Sequence, residues 1–358
     1  MADSSAPTIR AALDELVHQF ADPYAFVREL VQNSIDAGSG EIEVDVTYEP
    51  GADGNGIATV HVDDFGEGMT RQIVEKKLTR LFSSSKDGDR TKIGKFGIGF
   101  VSVFALDPEA VCVDTSREGE RWRVLFHRDR SFDLISLDTP FDGTRIDVIK
   151  RATKAQFEEI ATRVEASLRF WCRHVAAEVR FRGAPIREPF DLPEAPCRVE
   201  QSDEIGRIVV GHREDDAPFC GFYNNGLTLY ESSRHFGPAA DLGPIAFKVW
   251  SPRLEHTLTR DAVIQDAGFH RAIERVRELS VGPLASRVFE LVEQHGEEGG
   301  ATATYLHKAA AWHASNRSEL PQDALTRRVA SSPSGKPWTI ASLRMAIGRE
   351  LVAFADQR

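Results

Sequence analysis

The sequence predicts an α+β protein, and three observations carry that prediction. Arg28 to Gly38 (RELVQNSIDAG) has the spacing of an amphipathic helix. Glu41 to Tyr48 and Ile57 to Val62 alternate apolar and polar residues around the turn-forming GADGNG, as the two strands of a hairpin do. Ala155 to Val175 is a long second amphipathic run.

The chain has 358 residues, enough for two or three domains with cores of their own. A net charge of -11 argues against bulk electrostatic binding of nucleic acid and leaves only a local basic groove for it. No stretch approaches the roughly 18 consecutive apolar residues of a membrane span, and MADSSAPTIR lacks the basic and apolar regions of a secretion signal. A cytoplasmic protein is expected. The four cysteines (Cys112, Cys172, Cys197, Cys220) are widely spaced, which indicates neither a disulfide framework nor a zinc site.

Taken in order, Ile9 to Phe20 has helical periodicity that Asp22-Pro23 breaks. In the helix that follows, Glu29, Asn33 and Asp36 recur at steps of three or four and so share one polar face. Phe26, Leu30, Val31 and Ile35 form the apolar face, and Gly38 ends the helix. The polar face offers a carboxylate able to activate water beside an amide oxygen able to hold magnesium. By itself it is also an ordinary amphipathic surface helix. The second hairpin strand runs into Asp63-Asp64-Phe65-Gly66-Glu67-Gly68-Met69-Thr70, where two glycines let the backbone turn against a flat ligand and Asp64 can accept from an exocyclic amine. A glycine turn with a solvated aspartate is the alternative.

Ile73 to Phe82 reads as a further helix, and the polar run Ser83 to Lys92 is placed to act as a lid. Gly94-Lys95-Phe96-Gly97-Ile98-Gly99-Phe100 then leads into an apolar helix, Val101 to Leu106. Glycine-rich backbone at a helix N-terminus presents N–H groups to phosphates. The run lacks the GK[ST] ending of a Walker loop and the βαβ context of a dinucleotide fingerprint.

The ordered set RELVQNSIDAG, DDFGEGMT, GKFGIGF and DGTRIDV resembles the four nucleotide boxes of the GHKL ATPase superfamily. That superfamily includes gyrase-type, MutL-type, MORC-type, histidine-kinase and heat-shock protein 90 members. GKFGIGFVSVFAL with DFGEGMT most resembles the heat-shock protein 90 (HtpG-type) branch, and the RGEAL-like run of the MutL branch is missing. The resemblance implies a Bergerat-type α/β sandwich, helices on one face of a mixed sheet, binding ATP with Mg2+ under a lid. It makes Glu29 the general base for the attacking water, Asn33 the magnesium ligand, and Asp64 the acceptor from the adenine amine, with Met69 packed on the base. It makes Gly94, Gly97 and Gly99 the phosphate cradle through backbone N–H groups, with Phe96, Ile98 and Phe100 of the same box also in the nucleotide site. Thr144, in an expected strand Thr144 to Ile149, would reach the adenine edge through water. Asp36 also matches the motif, and Gly66 and Gly68 read as conformational.

Beyond Lys150, the helix Ala155 to Val175, the strand Glu178 to Arg182 and the Pro-rich passage Pro185 to Pro196 resemble the close of the family's ATP-binding domain. The expected domains are 1–188 (ATP-binding), 189–296 (a smaller α/β middle-domain-like region) and 297–358 (small and α-helical). In the middle region Phe222 to Tyr230 and Ile245 to Trp250 resemble strands of the heat-shock protein 90 middle domain. Leu258-Thr259-Arg260-Asp261 resembles its catalytic loop, with Arg260 reaching the γ-phosphate, and Phe269 to Glu293 resembles the helix after it. Helices are also expected at Ala303 to Ser315 and Ile340 to Ala355. A C-terminal dimerisation domain has no room, so a shortened form is expected, with a nucleotide-dependent homodimer as the oligomer this allows. The implied function is an ATP-hydrolysing, chaperone-like protein acting on a protein client or partner. The alternative is a MutL- or MORC-like ATPase switch in a nucleic-acid-processing or defence complex.

Overall fold

A computed structural model of the chain describes residues 22–52, 54–79, 99–139, 141–255, 257, 262–315, 320–332 and 334–348. The expected helix Ile9 to Phe20, the lid Ser83 to Lys92 and the loop 258–261 lie outside them. The chain divides into two compact units, residues 1–189 and 190–358.

In the first unit the described helix α1 (Phe26–Asp36) buries Phe26, Val27, Leu30 and Val31. It closes as glycine at C′ requires: Gly38 has φ +78° and its N–H bonds to Ile35 O at 2.9 Å. Strands β1 (Glu41–Glu49) and β2 (Asn55–Asp64) form the expected hairpin, one to two residues longer at the ends. They belong to an eight-stranded mixed sheet with β3 (Ala110–Arg117), β4 (Glu120–His127), β5 (Phe132–Ser136), β6 (Gly143–Thr153), β7 (Glu178–Phe181) and β8 (Ala184–Pro185). The strand order is β5-β4-β3-β6-β2-β1-β7-β8, with β1 and β7 parallel and the other pairs antiparallel.

Helix α2 (Lys154–Cys172) packs with α1 on one face of this sheet, burying Ile160, Val164 and Leu168 on the side to which Val44, Val46, Val60, Val62 and Val148 of β1, β2 and β6 turn. Alternation puts charge on the opposite face. There Arg145 pairs with Asp63 at 2.9 Å, Arg123 with Asp114 at 2.7 Å and His61 with Asp147 at 2.7 Å. Helices on one face of a mixed sheet make the expected α+β sandwich.

The expected helix from Ile73 begins at Arg71 after the capping residue Thr70, then widens into a π turn over Val74–Leu78. Val101 to Leu106 is helical as expected, but as a 3-10 segment over Ser102–Leu106.

The second unit holds a five-stranded sheet ordered β12-β11-β13-β10-β9. Its strands are β9 (Cys197–Ser202), β10 (Arg207–His212), β11 (Phe219–Asn224), β12 (Leu227–Ser232) and β13 (Ile245–Trp250). The single strand read over Phe222 to Tyr230 is in fact a hairpin of β11 and β12. Asn225 and Gly226 both have positive φ (48° and 86°), the two-residue turn an Asn-Gly pair favours. The single helix read over Phe269 to Glu293 is α3 (Ala267–Leu279) and α4 (Ala285–His295) joined by a π segment, Ser280–Leu284. Pro283 lies in that segment, where the widened turn accommodates its missing N–H.

Helices α5 (Gly300–Ser315), α6 (Gln322–Thr326) and α7 (Ile340–Gly348) follow, with a small hairpin of β14 (Arg328–Ser331) and β15 (Pro337–Thr339). Tyr305, Leu306, Ala309, Ala324 and Val329 share one core with Phe222 and Phe247 of the sheet and with Phe269 and Phe289 of α3 and α4. The helical end is thus packed into the same core as the five-stranded sheet.

Candidate nucleotide site

The site is built where α1 meets the end of β2. Asp64, the last residue of β2, is 7% exposed. Its Oδ2 lies 2.9 Å from Ser34 Oγ, which is also 3.0 Å from Leu30 O, and its Oδ1 accepts from Gly66 N at 2.9 Å. Burial pushes the Asp64 carboxyl above its usual range, opposed by the hydrogen bonds from Gly66 N, Ser34 Oγ and the Thr144 backbone N–H. An ionised carboxylate has about four acceptor positions, so with these three donors in place Asp64 can take one more.

Strand register brings the rest of the row alongside. Asp64 pairs with Thr144 of β6, and Thr144 pairs with Thr115 of β3. Thr115 and Thr144 are buried, with hydroxyl oxygens 3.2 Å apart, and Thr115 Oγ1 accepts from Met69 N at 2.8 Å.

The loop after β2 is tied to the end of α1. Phe65 N donates to Ser39 Oγ at 3.0 Å and Glu67 N to Ala37 O at 2.8 Å. Close approach explains both glycines of this loop. A Cβ on Gly66 would lie 2.7 Å from Ala37 O; one on Gly68, at φ +66°, would lie 2.0 Å from Ser116 O.

On α1 the three polar positions differ in setting: Glu29 is 4% exposed, whereas Asn33 and Asp36 are open to solvent in the last turns. Next to Glu29, Arg28 is buried with its guanidinium carbon 4.6 Å from the centre of the Trp171 ring. Burial lowers the Arg28 pKa to about 10. Gly99 is helical and its carbonyl accepts from Ser102 Oγ. Phe100 is a core residue, its ring 5.3 Å from Phe126 and 6.4 Å from Phe104. Gly94, Phe96, Gly97, Ile98 and Arg260 lie outside the described residues.

The structure thus brings Asp64, Gly66, Gly68, Met69 and Thr144 together next to α1, and adds three residues to which the sequence reading gave no role. Ser34 and Gly143 sit inside the quoted motifs, and Gly143 has φ +82° with a Cβ position 2.0 Å from Asp64 O. Thr115 carries no local signal, because strand pairing alone brings it here. A surface cavity of about 440 Å3 opens nearby, lined by Gly66, Glu67, Arg117, Arg121 and Gly143 among others, but not by Asp64 or α1. Among the described residues no group of three His, Cys, Asp or Glu side chains is placed to hold a metal, and no helix is long and apolar enough to cross a membrane.

The chain is 26% identical over 254 residues to the chaperone protein HtpG of Methylococcus capsulatus, a match covering 61% of this chain and 38% of that protein. The chain therefore corresponds to well under half the length of that relative. Residues 23–135 match the family described as histidine kinase-, DNA gyrase B-, and HSP90-like ATPase, so this stretch of the first unit is similar to the ATPase domain of that family.

Proposed function

We propose that this protein binds ATP with Mg2+ in its first unit, hydrolyses it to ADP and phosphate, and uses the cycle to act on protein clients in the manner of a heat-shock protein 90-like chaperone. The observation that carries the reading is the buried Asp64 carboxylate, held by Ser34 Oγ and Gly66 N at the foot of the helix that bears Glu29 and Asn33. In this reading Asp64 accepts from the purine 6-amino group. A charge-assisted bond of that kind contributes about 1.5–3 kcal/mol. Thr144 faces the neighbouring purine edge through water, and Met69 packs on the ring.

Glu29, one turn before Asn33, takes the proton of the attacking water. The new bond forms at the γ-phosphorus, the bond to the β,γ-bridging oxygen breaks, and ADP leaves with that electron pair. The exposed Asn33 amide oxygen suits magnesium, which keeps several waters and takes few protein ligands beside nucleotide phosphates. Bound there, the metal supplies charge neutralisation on those phosphates.

Support for the chaperone class is the likeness to HtpG. The test is phosphate release with ATP and magnesium, beside calorimetry of nucleotide binding, for wild type and Glu29→Ala. Release should fall at least about a hundredfold with nucleotide binding retained. Equal release from both proteins would remove Glu29 as the base. ATP-dependent suppression of aggregation of a heat-unfolded protein is expected; hydrolysis stimulated by DNA, without such suppression, would overturn the client assignment.

A further inference from the structure

We infer that Thr115 is a positioning residue that fixes the direction of the Thr144 hydroxyl proton and thereby makes the site read the N1 position of the purine. The inference rests on the nucleotide reading of this site and goes beyond it. Thr115 is fully buried, and among the described residues its Oγ1 has two partners, Met69 N at 2.8 Å and Thr144 Oγ1 at 3.2 Å. An amide N–H can only donate, so Thr115 accepts from Met69.

The bond between the two hydroxyls has two conceivable directions, and burial separates them. If Thr144 donated to Thr115, the Thr115 proton would be left inside the protein with no acceptor, which is costly. If Thr115 donates to Thr144, every buried proton of the pair is used, and the Thr144 proton points outward. Thr144 has no other side-chain hydrogen bond among the described residues, and at 8% exposure it is not wholly enclosed. The result is a one-way chain: Met69 N–H to Thr115 Oγ1, Thr115 O–H to Thr144 Oγ1, and Thr144 O–H to whatever lies beyond. Each bond in such a chain polarises the next.

Beside Asp64 this chain makes an acceptor and donor pair in fixed order. An adenine Watson–Crick edge offers the complement, a 6-amino donor and the N1 acceptor. Guanine offers the reverse, an O6 acceptor and an N1–H donor, and mismatches at both positions. Asp64 therefore reads position 6, and Thr144, oriented by Thr115, reads position 1 through a water that accepts from Thr144 and donates to N1.

The experiment measures binding of ATP and of 1-deaza-ATP, which keeps the 6-amino group but lacks the N1 acceptor. Wild type, Thr115→Val, Thr115→Ser and Thr115→Cys are compared by calorimetry, with urea denaturation to verify folding. Wild type should prefer ATP by about tenfold, the value of one net hydrogen bond. Thr115→Val should lose more affinity for ATP than for 1-deaza-ATP, so that its preference for ATP falls to within about twofold; Thr115→Ser should restore the preference. Thr115→Cys, which keeps the side-chain volume with a weak S–H donor, should lie between them, and it serves if Thr115→Val does not fold. An equal loss for both nucleotides in the variants would show a purely structural role and overturn the inference, as would an unchanged ratio. Failure of wild type to bind either nucleotide would overturn the nucleotide reading as well, so the two failures are distinguishable.

Discussion

Gly68 sits where the chain must do two things at once, turn at φ +66° and pass against the Ser116 carbonyl. Neither is open to a side chain. Gly68→Ala should cost roughly 2–4 kcal/mol, combining left-handed strain with a backbone collision that only a shift of β3 relieves. Gly119 provides the comparison: its φ is +82°, but a Cβ there would meet nothing within 4 Å. Gly119→Ala should cost only the strain, about 1–2 kcal/mol. Urea denaturation of both variants checks the order; equal losses would mean that the approach to Ser116 is not tight. Asp64 and Thr144 depend on this turn, because Met69 N, one residue beyond Gly68, anchors the hydroxyl pair. A glycine of the motif thus acts on the site through where it lets the backbone go.

At the scale of elements, α2 shows how a helix is started. Thr153 Oγ1 accepts from Gln156 N at 3.3 Å and Gln156 Oε1 accepts from Thr153 N at 2.9 Å, a reciprocal capping box. The cap sits at the junction of β6 and α2, so it sets where the site strand ends and the covering helix begins. Thr153→Ala should lower stability by about 1 kcal/mol, read as a shift in denaturation midpoint with unchanged slope. A variant as stable as its parent would show that burial of Ile160, Val164 and Leu168 alone positions the helix. In the second unit, the Asn225-Gly226 turn and Pro283 are the local features that split one expected strand and one expected helix. Both were legible signals, an Asn-Gly pair between apolar runs and a proline inside a helical pattern.

Across the whole molecule the two units should answer pH with opposite signs. In the first unit the hydrogen bond that His61 donates to Asp147 holds the His61 pKa above its ordinary value, aided by the charges of Asp147, Asp63 and Asp45 and opposed by partial burial. A group with a raised folded pKa gives stability that is full below its unfolded value of about 6.5 and is lost as pH rises through the folded pKa. In the second unit His212 and His313 are buried with Nε2 atoms 2.9 Å apart, and burial lowers their pKa values to about 4 and about 3. Their contribution is present above about 6.5 and is lost as pH falls toward the folded values, because the unfolded chain then binds the proton first. Each histidine can change stability by at most about 1.4 kcal/mol per pH unit. Hydrogen exchange, corrected for intrinsic rates, should show β10 and α5 less protected at pH 5.5 than at 7.5, and β1, β2 and β6 more protected. The same direction in both units would refute this assignment.

What the sequence by itself determined is the content of short stretches. Helical spacing placed Glu29, Asn33 and Asp36 on one face, and the glycine turn after the strand Ile57 to Val62 marked Asp64 as a candidate acceptor, because both signals are set within a turn or two of chain. Tertiary structure alone decided which of those residues meet others. Ser34 finds Asp64 across 30 positions and Thr115 finds Thr144 across 29, through helix packing and strand register that no local pattern encodes. The strands β3, β4 and β5 went unread for a related reason. Their outward positions mix charged residues with Cys112, Leu125 and Ile135, so the alternation is clear only once β6 supplies the register that says which side is the core. Burial decided the rest: Glu29 is enclosed and Asn33 open on the same helix, a difference that helical spacing does not encode.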